Sequence, residues 1–509
     1  MSSVSVNGAF ALFFANLISK LFGAVYRLPL SNLLGAEGIG LYQMAFPIYS
    51  FLLTLITGGI SITLTRQIAR LRANKDESAI NKQFSLGKNV SLWAGVFCCI
   101  FLIAMAYPFS RLQGNDNAIL GYFAIAIGFV FASVLGAYRG FYQGFGNMKP
   151  TAMSQVIEQV SKLFFGLLFA GLLIKYGIIF GVFGALLGVA VSEFFAFCYF
   201  CKINKRHIKK HKSELSKRDY WQFLKQVAPV SVSYMLLPLS SLIDSFLVIN
   251  LLTGSGFLTG VSTSLYGIET GMILPLINLP NVLIGALALA CIPEISYKLG
   301  AGINPKEQIE KLFKTVLIFI LPCAVGMFLL AKPILAFVYP TLDASLLSVA
   351  VNLLKFSVFE MFLLCFITVS NSLLQAFAKS KVSACSLAFG IFVKVILTAI
   401  FMLNKSLNIC GLVLASVFGY FVACLINILA IKRQIGFRLK FIEIFAPIFS
   451  CVVMSAGILI WLGLFNGELG AVKLFTCVIL SVIIYFACLI CFRQFGMQDV
   501  KKILQIKGN

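Results

Sequence analysis

The chain has 509 residues, 60% of them hydrophobic and only 12% charged, with a mean hydropathy of +0.96; a soluble domain carries roughly 45–50% and about 25%. That excludes an ordinary water-soluble enzyme. The net charge of +23 would point to nucleic acid in a soluble protein, but the basic residues are gathered in short segments between apolar blocks, where they set membrane orientation, so no nucleic-acid partner is expected.

The apolar blocks are about 20 residues long, enough for a helix to cross about 30 Å of hydrocarbon. In chain order they predict helices near 8–28, 39–64, 89–109, 118–138, 151–174 and 178–201. Eight more follow near 224–250, 266–292, 313–331, 345–375, 382–403, 409–431, 446–465 and 470–492. The expectation is an all-α integral membrane protein of about fourteen transmembrane helices. Residues 1–7 carry no Lys or Arg and no cleavage site follows, so the first helix is expected to stay in the mature chain.

Of the 41 basic residues, 31 fall in the breaks at 65–88, 138–150, 202–225, 294–314, 376–381 and 432–440 and in the tail from Arg493. The alternate breaks hold at most one or two each. Basic side chains are retained on the cytoplasmic side during insertion, which predicts cytoplasmic N and C termini. The richest break, 202–225, is read as a contact for anionic membrane lipids. Its two histidines, His207 and His211, lie among Lys205, Arg206, Lys209 and Lys210 without a Cys or carboxylate to complete a ligand set, so no metal is expected. Most of the fourteen cysteines lie inside apolar blocks, which argues for packing rather than disulfides.

An internal repeat is legible. QGFGNMK at 143–149 returns as QAFAKSK at 375–381, aligning Gln143 with Gln375, Phe145 with Phe377 and Lys149 with Lys381 at an offset of 232. The same offset aligns Ser154 with Ser386 and Lys162 with Lys394. A weaker echo pairs Leu41-Tyr42 with Leu265-Tyr266 at an offset of 224. The organisation predicted is an N-terminal lobe (1–222) and a C-terminal lobe (223–440), pseudo-symmetric bundles of six helices, followed by helices 13 and 14 with the tail (441–509). Both copies enter the bilayer from the same side, so they are parallel repeats.

A charge near the bilayer centre costs at least about 2.5–3.5 kcal/mol on insertion scales, so each one is expected to face a cavity or a partner. Lys20, Lys162 and Lys394 each lie about a dozen residues from the cytoplasmic entry of their helix, close to the midplane at about 1.5 Å per residue. Arg27 continues the stripe begun by Lys20. Glu158 stands four residues before Lys162, so mutual neutralisation on one helix face competes with a role in an anion site. Glu193, Asp244 and Glu360 are the remaining candidates as charge partners or ion-coupling groups.

The stretches ISKLFGAVYRLPLSNLLGAEGIGLYQMAFPIY (18–49) and YRGFYQGFGNMKPTAMSQVIEQ (138–159) strongly resemble the stage V sporulation protein B and polysaccharide-exporter branch of the MOP (multidrug, oligosaccharidyl-lipid, polysaccharide) superfamily, related to the lipid II flippases. The resemblance covers essentially the whole chain. It implies a two-lobed bundle in the bacterial cytoplasmic membrane whose central cationic cavity passes an undecaprenyl-pyrophosphate-linked saccharide by alternating access, as in polysaccharide, peptidoglycan or spore-cortex synthesis. It also implies that Lys20 and Arg27 occupy basic positions of the first helix that contact the pyrophosphate. Their spacing differs by one residue from the lipid II flippases, and glycines stand where those have an acid early in the second helix. The implied substrate class is therefore lipid-linked glycans, lipid II or a polysaccharide repeat unit among them.

The alternative is a cation-coupled multidrug exporter, for which Asp244 or Glu360 would face organic cations. An enzyme is not expected, since the outer breaks lack catalytic acids and histidines. No GxxxxGK[ST] phosphate loop occurs, and no cofactor is expected. The protein is expected to work as a monomer.

Overall fold

The computed structural model describes residues 3–74, 76–204, 215–377, 379–404, 407–436, 441–465 and 470–492. Over residues 3–21 and at 24, 73, 232, 233, 290, 293, 300, 441 and 442 it describes the backbone alone. The side chain of Lys20, the segment with His207 and His211, and the tail from Arg493 thus lie outside the described residues.

The described chain is helical throughout. The helices are α1 (Ser3–Ala73), α2 (Glu77–Leu112), α3 (Ile119–Ala126), α4 (Gly128–Gly144), α5 (Lys149–Leu173), α6 (Ile178–Asn204), α7 (Lys217–Tyr234), α8 (Leu236–Gly254) and α9 (Thr259–Gly267). A π-helical turn, Ile268–Ile273, leads into α10 (Leu274–Gly300). Then come α11 (Lys306–Leu329), α12 (Ala331–Val338), α13 (Ala344–Ala376), α14 (Ser380–Met402), α15 (Cys410–Ile435), α16 (Phe441–Leu464) and α17 (Ala471–Cys491).

Among the described residues twelve helices are long and apolar enough to cross a membrane, or thirteen when the bent pair Asp116–Ala126 and Gly128–Gly144 counts as one span. Of α1 that count takes in only Val25–Arg72, and both of the first two expected spans, 8–28 and 39–64, fall within this helix. Gly35 breaks it, with φ 69° and ψ −178°. That backbone region is open essentially to glycine alone and costs other residues of order 1–3 kcal/mol. Since no atom lies within 4 Å of where a β-carbon would be, the requirement is purely one of backbone conformation.

The chain divides into two compact units, Met1–Pro275 with Met402–Ile409, and Leu276–Phe401 with Cys410–Asn509. In the first, α5 and α6 meet along a seam of small residues. A β-carbon on Gly184 would stand 2.5 Å from the Phe169 carbonyl oxygen, and one on Gly188 would run into the backbone of Gly166. Close backbone approach through small residues is how membrane helices gain packing without a hydrophobic driving force between them. The echo segments Leu41-Tyr42 and Leu265-Tyr266 also pack together here: the Tyr266 hydroxyl donates to the Gln43 carbonyl (3.3 Å), and Gln43 Nε2 donates to the Thr270 carbonyl inside the π-helical turn (2.7 Å). In the second unit α14 and α15 touch at Gly390 and Gly419, and the buried Tyr485 of α17 donates to the Ile318 carbonyl of α11 (2.9 Å).

The repeat is written in backbone geometry as well as in sequence. At the end of α4 the Phe145 N–H reaches the Phe141 carbonyl (3.3 Å) and the Asn147 N–H the Tyr142 carbonyl (3.1 Å). At the end of α13, Phe377 reaches Leu373 (3.0 Å) and Lys379 reaches Leu374 (2.8 Å). One turn into the next helix, the Ser154 hydroxyl donates to the Thr151 carbonyl (2.7 Å), and Ser386 donates to Ser383 (2.9 Å). All three bonds recur at the offset of 232.

The polar N-terminus of α7 is fastened to α2 and α1. Ser216 and Asp219 form a reciprocal capping box, Lys82 pairs with Asp219 at 2.9 Å, Asn89 Nδ2 donates to the Tyr220 hydroxyl (3.1 Å), and Gln67 Nε2 donates to Gln226 Oε1 (2.8 Å). The hydrogen bond from Lys82, helped by the Ser216 backbone N–H, holds the Asp219 carboxyl down at about 2. A depressed carboxylate stabilises the fold above its unfolded pKa near 4, and that contribution is lost as pH falls through the folded value. Lys82→Met is therefore expected to move the Asp219 titration upward toward 4, leaving its charge unchanged at neutral pH; isotope-edited infrared spectroscopy of the carboxyl checks this.

Overpacking the helix seam gives a second test. Gly188→Val forces α5 and α6 apart and is expected to cost about 1–3 kcal/mol, read as a lower thermal midpoint of the purified protein. An unchanged midpoint would mean that the seam spreads freely.

Candidate functional site

In the first unit, four of the residues singled out from sequence come together. Arg27 projects from the first part of α1, Glu158 and Lys162 from α5, and Glu193 from α6; the charges of Arg27, Glu158 and Glu193 all act on the Lys162 ammonium. The helices carrying them are held by the α5–α6 glycine seam and by Tyr26, which packs over Gly166.

Glu158 does not neutralise Lys162. Its carboxylate is taken by Arg139 of α4, whose Nη2 donates to Oε2 at 2.7 Å, while Gln159 Nε2 donates to Oε1 at 3.2 Å. The guanidinium is held in turn by its Nε, which donates to Ser154 Oγ at 3.1 Å. Arg139 and Glu158 are 21% and 18% exposed, so the pair is screened less than a surface ion pair. Arg139 was expected in the break at 138–150; the structure instead continues α4 to Gly144 and begins α5 at Lys149, which turns this arginine into a helix residue facing α5.

The Lys162 ammonium lies over two aromatic faces, 5.3 Å from the Tyr26 ring centroid and 4.9 Å from that of Phe46. Each such contact is worth about 0.5–2 kcal/mol, together enough to offset most of the insertion cost of the charge. An aromatic face does not use up the three N–H donors of an ammonium. Among the described residues neither Lys162 nor the Arg27 side chain is in an ion pair or a hydrogen bond. Two neighbouring cations thus keep their donors unspent, the arrangement that an oxyanion completes. Glu193, 6% exposed, lies beside Tyr49 of α1 and within the field of Arg139 as well as Lys162.

Asp244 of α8 is buried elsewhere in this unit, beside Tyr266. Tyr266 belongs to a polar group in which the Tyr122 hydroxyl donates to Gln113 Oε1 and Gln113 Nε2 donates to Ser245 Oγ (2.8 Å). In the second unit Lys394 of α14 is 6% exposed, its β-carbon set against Gly419 of α15. Two to three turns toward the start of α14 lies a network in which Ser386 donates to Asn427 Oδ1 (2.6 Å), Asn427 Nδ2 to Asn371 Oδ1 (2.8 Å) and Ser383 to Asn371 Oδ1 (2.6 Å). Glu360 of α13 is buried in this unit.

Sequence reading missed two features. Arg139 was counted among loop charges, although the helical spacing of Tyr138, Phe141 and Tyr142 was there to be read through it. Glu269, buried within the π-helical turn, was passed over as a single acid in an apolar block, and a π-helical register leaves no periodic signal in sequence.

The chain matches the family model described as "Polysaccharide biosynthesis protein" over residues 5–299. It is 28% identical over 472 residues to the lipid II flippase MurJ of Bacillus subtilis (strain 168), covering 86% of this chain and 85% of that one. It is 24% identical over 515 residues to the stage V sporulation protein B of the same organism, covering 98% and 97%. Among solved structures, a lipid II flippase MurJ in an inward closed conformation superposes with a TM-score of 0.74 at 16% identity, over 96% of this chain and 99% of that one. An inward-facing multidrug resistance MATE family transporter of the MOP superfamily gives 0.65 at 19% identity, over 82% and 94%. The fold is that of MOP-superfamily transporters, and the chain belongs to the polysaccharide biosynthesis protein family.

Proposed function

We propose that the protein is a flippase that carries an undecaprenyl-pyrophosphate-linked saccharide, lipid II or a polysaccharide repeat unit, across the bacterial cytoplasmic membrane by alternating access. The observation that carries this reading is the pair Arg27 and Lys162: two cations of one unit close enough to act on each other, with no carboxylate among the described residues bonded to either. Moving a doubly charged pyrophosphate through hydrocarbon without partners would cost tens of kcal/mol by ion solvation; charge-assisted N–H donors along the route remove much of that cost. Lys20, earlier on α1, and Lys394, the repeat counterpart of Lys162, extend the cationic path. The relatives named as a lipid II flippase and a sporulation protein support this substrate class, and neither relative is an enzyme by name.

The remaining assignments complete the reading. Both termini are cytoplasmic, residues 202–225 contact anionic lipids of the inner leaflet, the repeat divides the chain at about residue 222 and again at about 440, and the protein acts as a monomer. Glu193, Asp244 and Glu360 are the carboxylates available for ion coupling. They also carry the second reading, a cation-coupled multidrug exporter, which the shared fold with MATE transporters supports.

Transfer of a labelled undecaprenyl-pyrophosphate disaccharide between leaflets of proteoliposomes decides between them. Hydrogen bonds to charged groups are worth about 1.5–3 kcal/mol, so Lys162→Ala and Arg27→Ala are each expected to slow transfer roughly tenfold to a hundredfold. Wild-type protein that moves lipophilic cations but not the pyrophosphate lipid would establish the exporter instead.

A further inference from the structure

We infer that Arg139 is a positioning residue for the anion site: by holding Glu158 it keeps that carboxylate off Lys162, and so keeps the lysine available to substrate. The inference rests on the reading of Lys162 given above and adds what maintains it.

Glu158 and Lys162 stand at i and i+4 of one helix, the acid on the N-terminal side, which is the favoured order for an intrahelical ion pair. Left to local chemistry the two would neutralise each other. The structure shows a different outcome. Both carboxylate oxygens of Glu158 are engaged, Oε2 by Arg139 at 2.7 Å and Oε1 by Gln159 at 3.2 Å, and Arg139 is itself fixed by its bond to Ser154. Guanidinium, with its planar array of donors, is the better competitor for a carboxylate than a single ammonium. Lys162 is left with Tyr26 and Phe46, whose faces tolerate the charge without consuming its donors.

The internal repeat supplies an independent observation. At the offset of 232 the second copy keeps the lysine (Lys394) and the serine (Ser386), but glycine (Gly390) stands at the Glu158 position and asparagine (Asn371) at the Arg139 position. Arginine and glutamate are present together or absent together, while the lysine is in both copies. A copy without the glutamate has no need of the arginine. In that copy Asn371 instead accepts from Ser383 and Asn427.

The remaining charged groups around Lys162 do not substitute for Arg139. Arg27 is a second cation, and Glu193 lies beside Tyr49 on α6. Without Arg139, Glu158 gains Lys162 as its nearest cation one turn away, and the pair becomes a closed, neutral unit that no longer attracts an oxyanion.

The test is binding of undecaprenyl pyrophosphate to the full-length protein in nanodiscs, with thermal midpoints recorded for every variant. Lys162→Ala and Arg139→Gln are each expected to weaken binding at least tenfold. Arg139→Gln combined with Glu158→Gln is expected to return to within about threefold of wild type, and Arg139→Lys to retain an intermediate affinity. Rescue by removing the acid is the signature of positioning, since an arginine that bound the lipid directly would not be replaced by loss of a carboxylate. If Lys162→Ala binds normally, the anion-site reading itself falls. If Lys162→Ala is impaired but Arg139→Gln is not, or if the double variant folds with a normal midpoint and still fails to bind, the site stands and the role given to Arg139 is overturned.

Discussion

A charge inside hydrocarbon has to be offset by something, and the disposition of Arg139, Glu158 and Lys162 is the way this chain meets that constraint. One acid and two bases face one another across α4 and α5, and the acid is committed to the base that can hold it with directional bonds. The remaining base rests on aromatic faces. The α5–α6 glycine seam and the bond from Arg139 to Ser154 hold these groups in place, and the Lys162 ammonium is left on aromatic faces that do not use its N–H donors.

Much of this was legible in the sequence. Blocks of about 20 apolar residues identified the spans, because the bilayer imposes one length on every crossing. The repeat at an offset of 232 was visible as QGFGNMK and QAFAKSK, and its basis is now physical: the shared residues end one helix and begin the next with the same three hydrogen bonds. Lys162 stood out in the sequence as a charge inside an apolar block. Its relation to Glu158 was not legible, because i,i+4 spacing records what one helix brings together and is silent about a neighbour that competes. Arg139 was hidden for a related reason: it lies at the junction of an apolar block and a basic break, where composition changes before the helix ends. The first two expected spans both fall in α1, where one glycine separates them with no loop around it.

The two copies of the repeat have kept their architecture and divided their chemistry. The first has a mixed-charge site with one base spent and one unspent. The second has a buried lysine and, two to three turns away on the same helix, a network of neutral amides and hydroxyls. Hydrogen-bonded geometry at the helix ends is what both copies retain, since it fixes the angle between successive helices whatever the polar residues further in are asked to do.

The break in α1 has a mechanical side. A continuous helix of 71 residues would run about 107 Å at 1.5 Å per residue, more than three crossings of the hydrocarbon. Gly35 interrupts it with a single residue, so the two parts are joined without slack. Arg27 lies on one side of this joint and the Leu41-Tyr42 segment, packed against Tyr266 and the π-helical turn, on the other. The relative setting of Arg27 and the packing around Gln43 is therefore fixed by the two torsion angles of one residue. A side chain at position 35 would thus misalign more than one helix, since the same two angles orient the part that carries Arg27 and the part that packs on Tyr266.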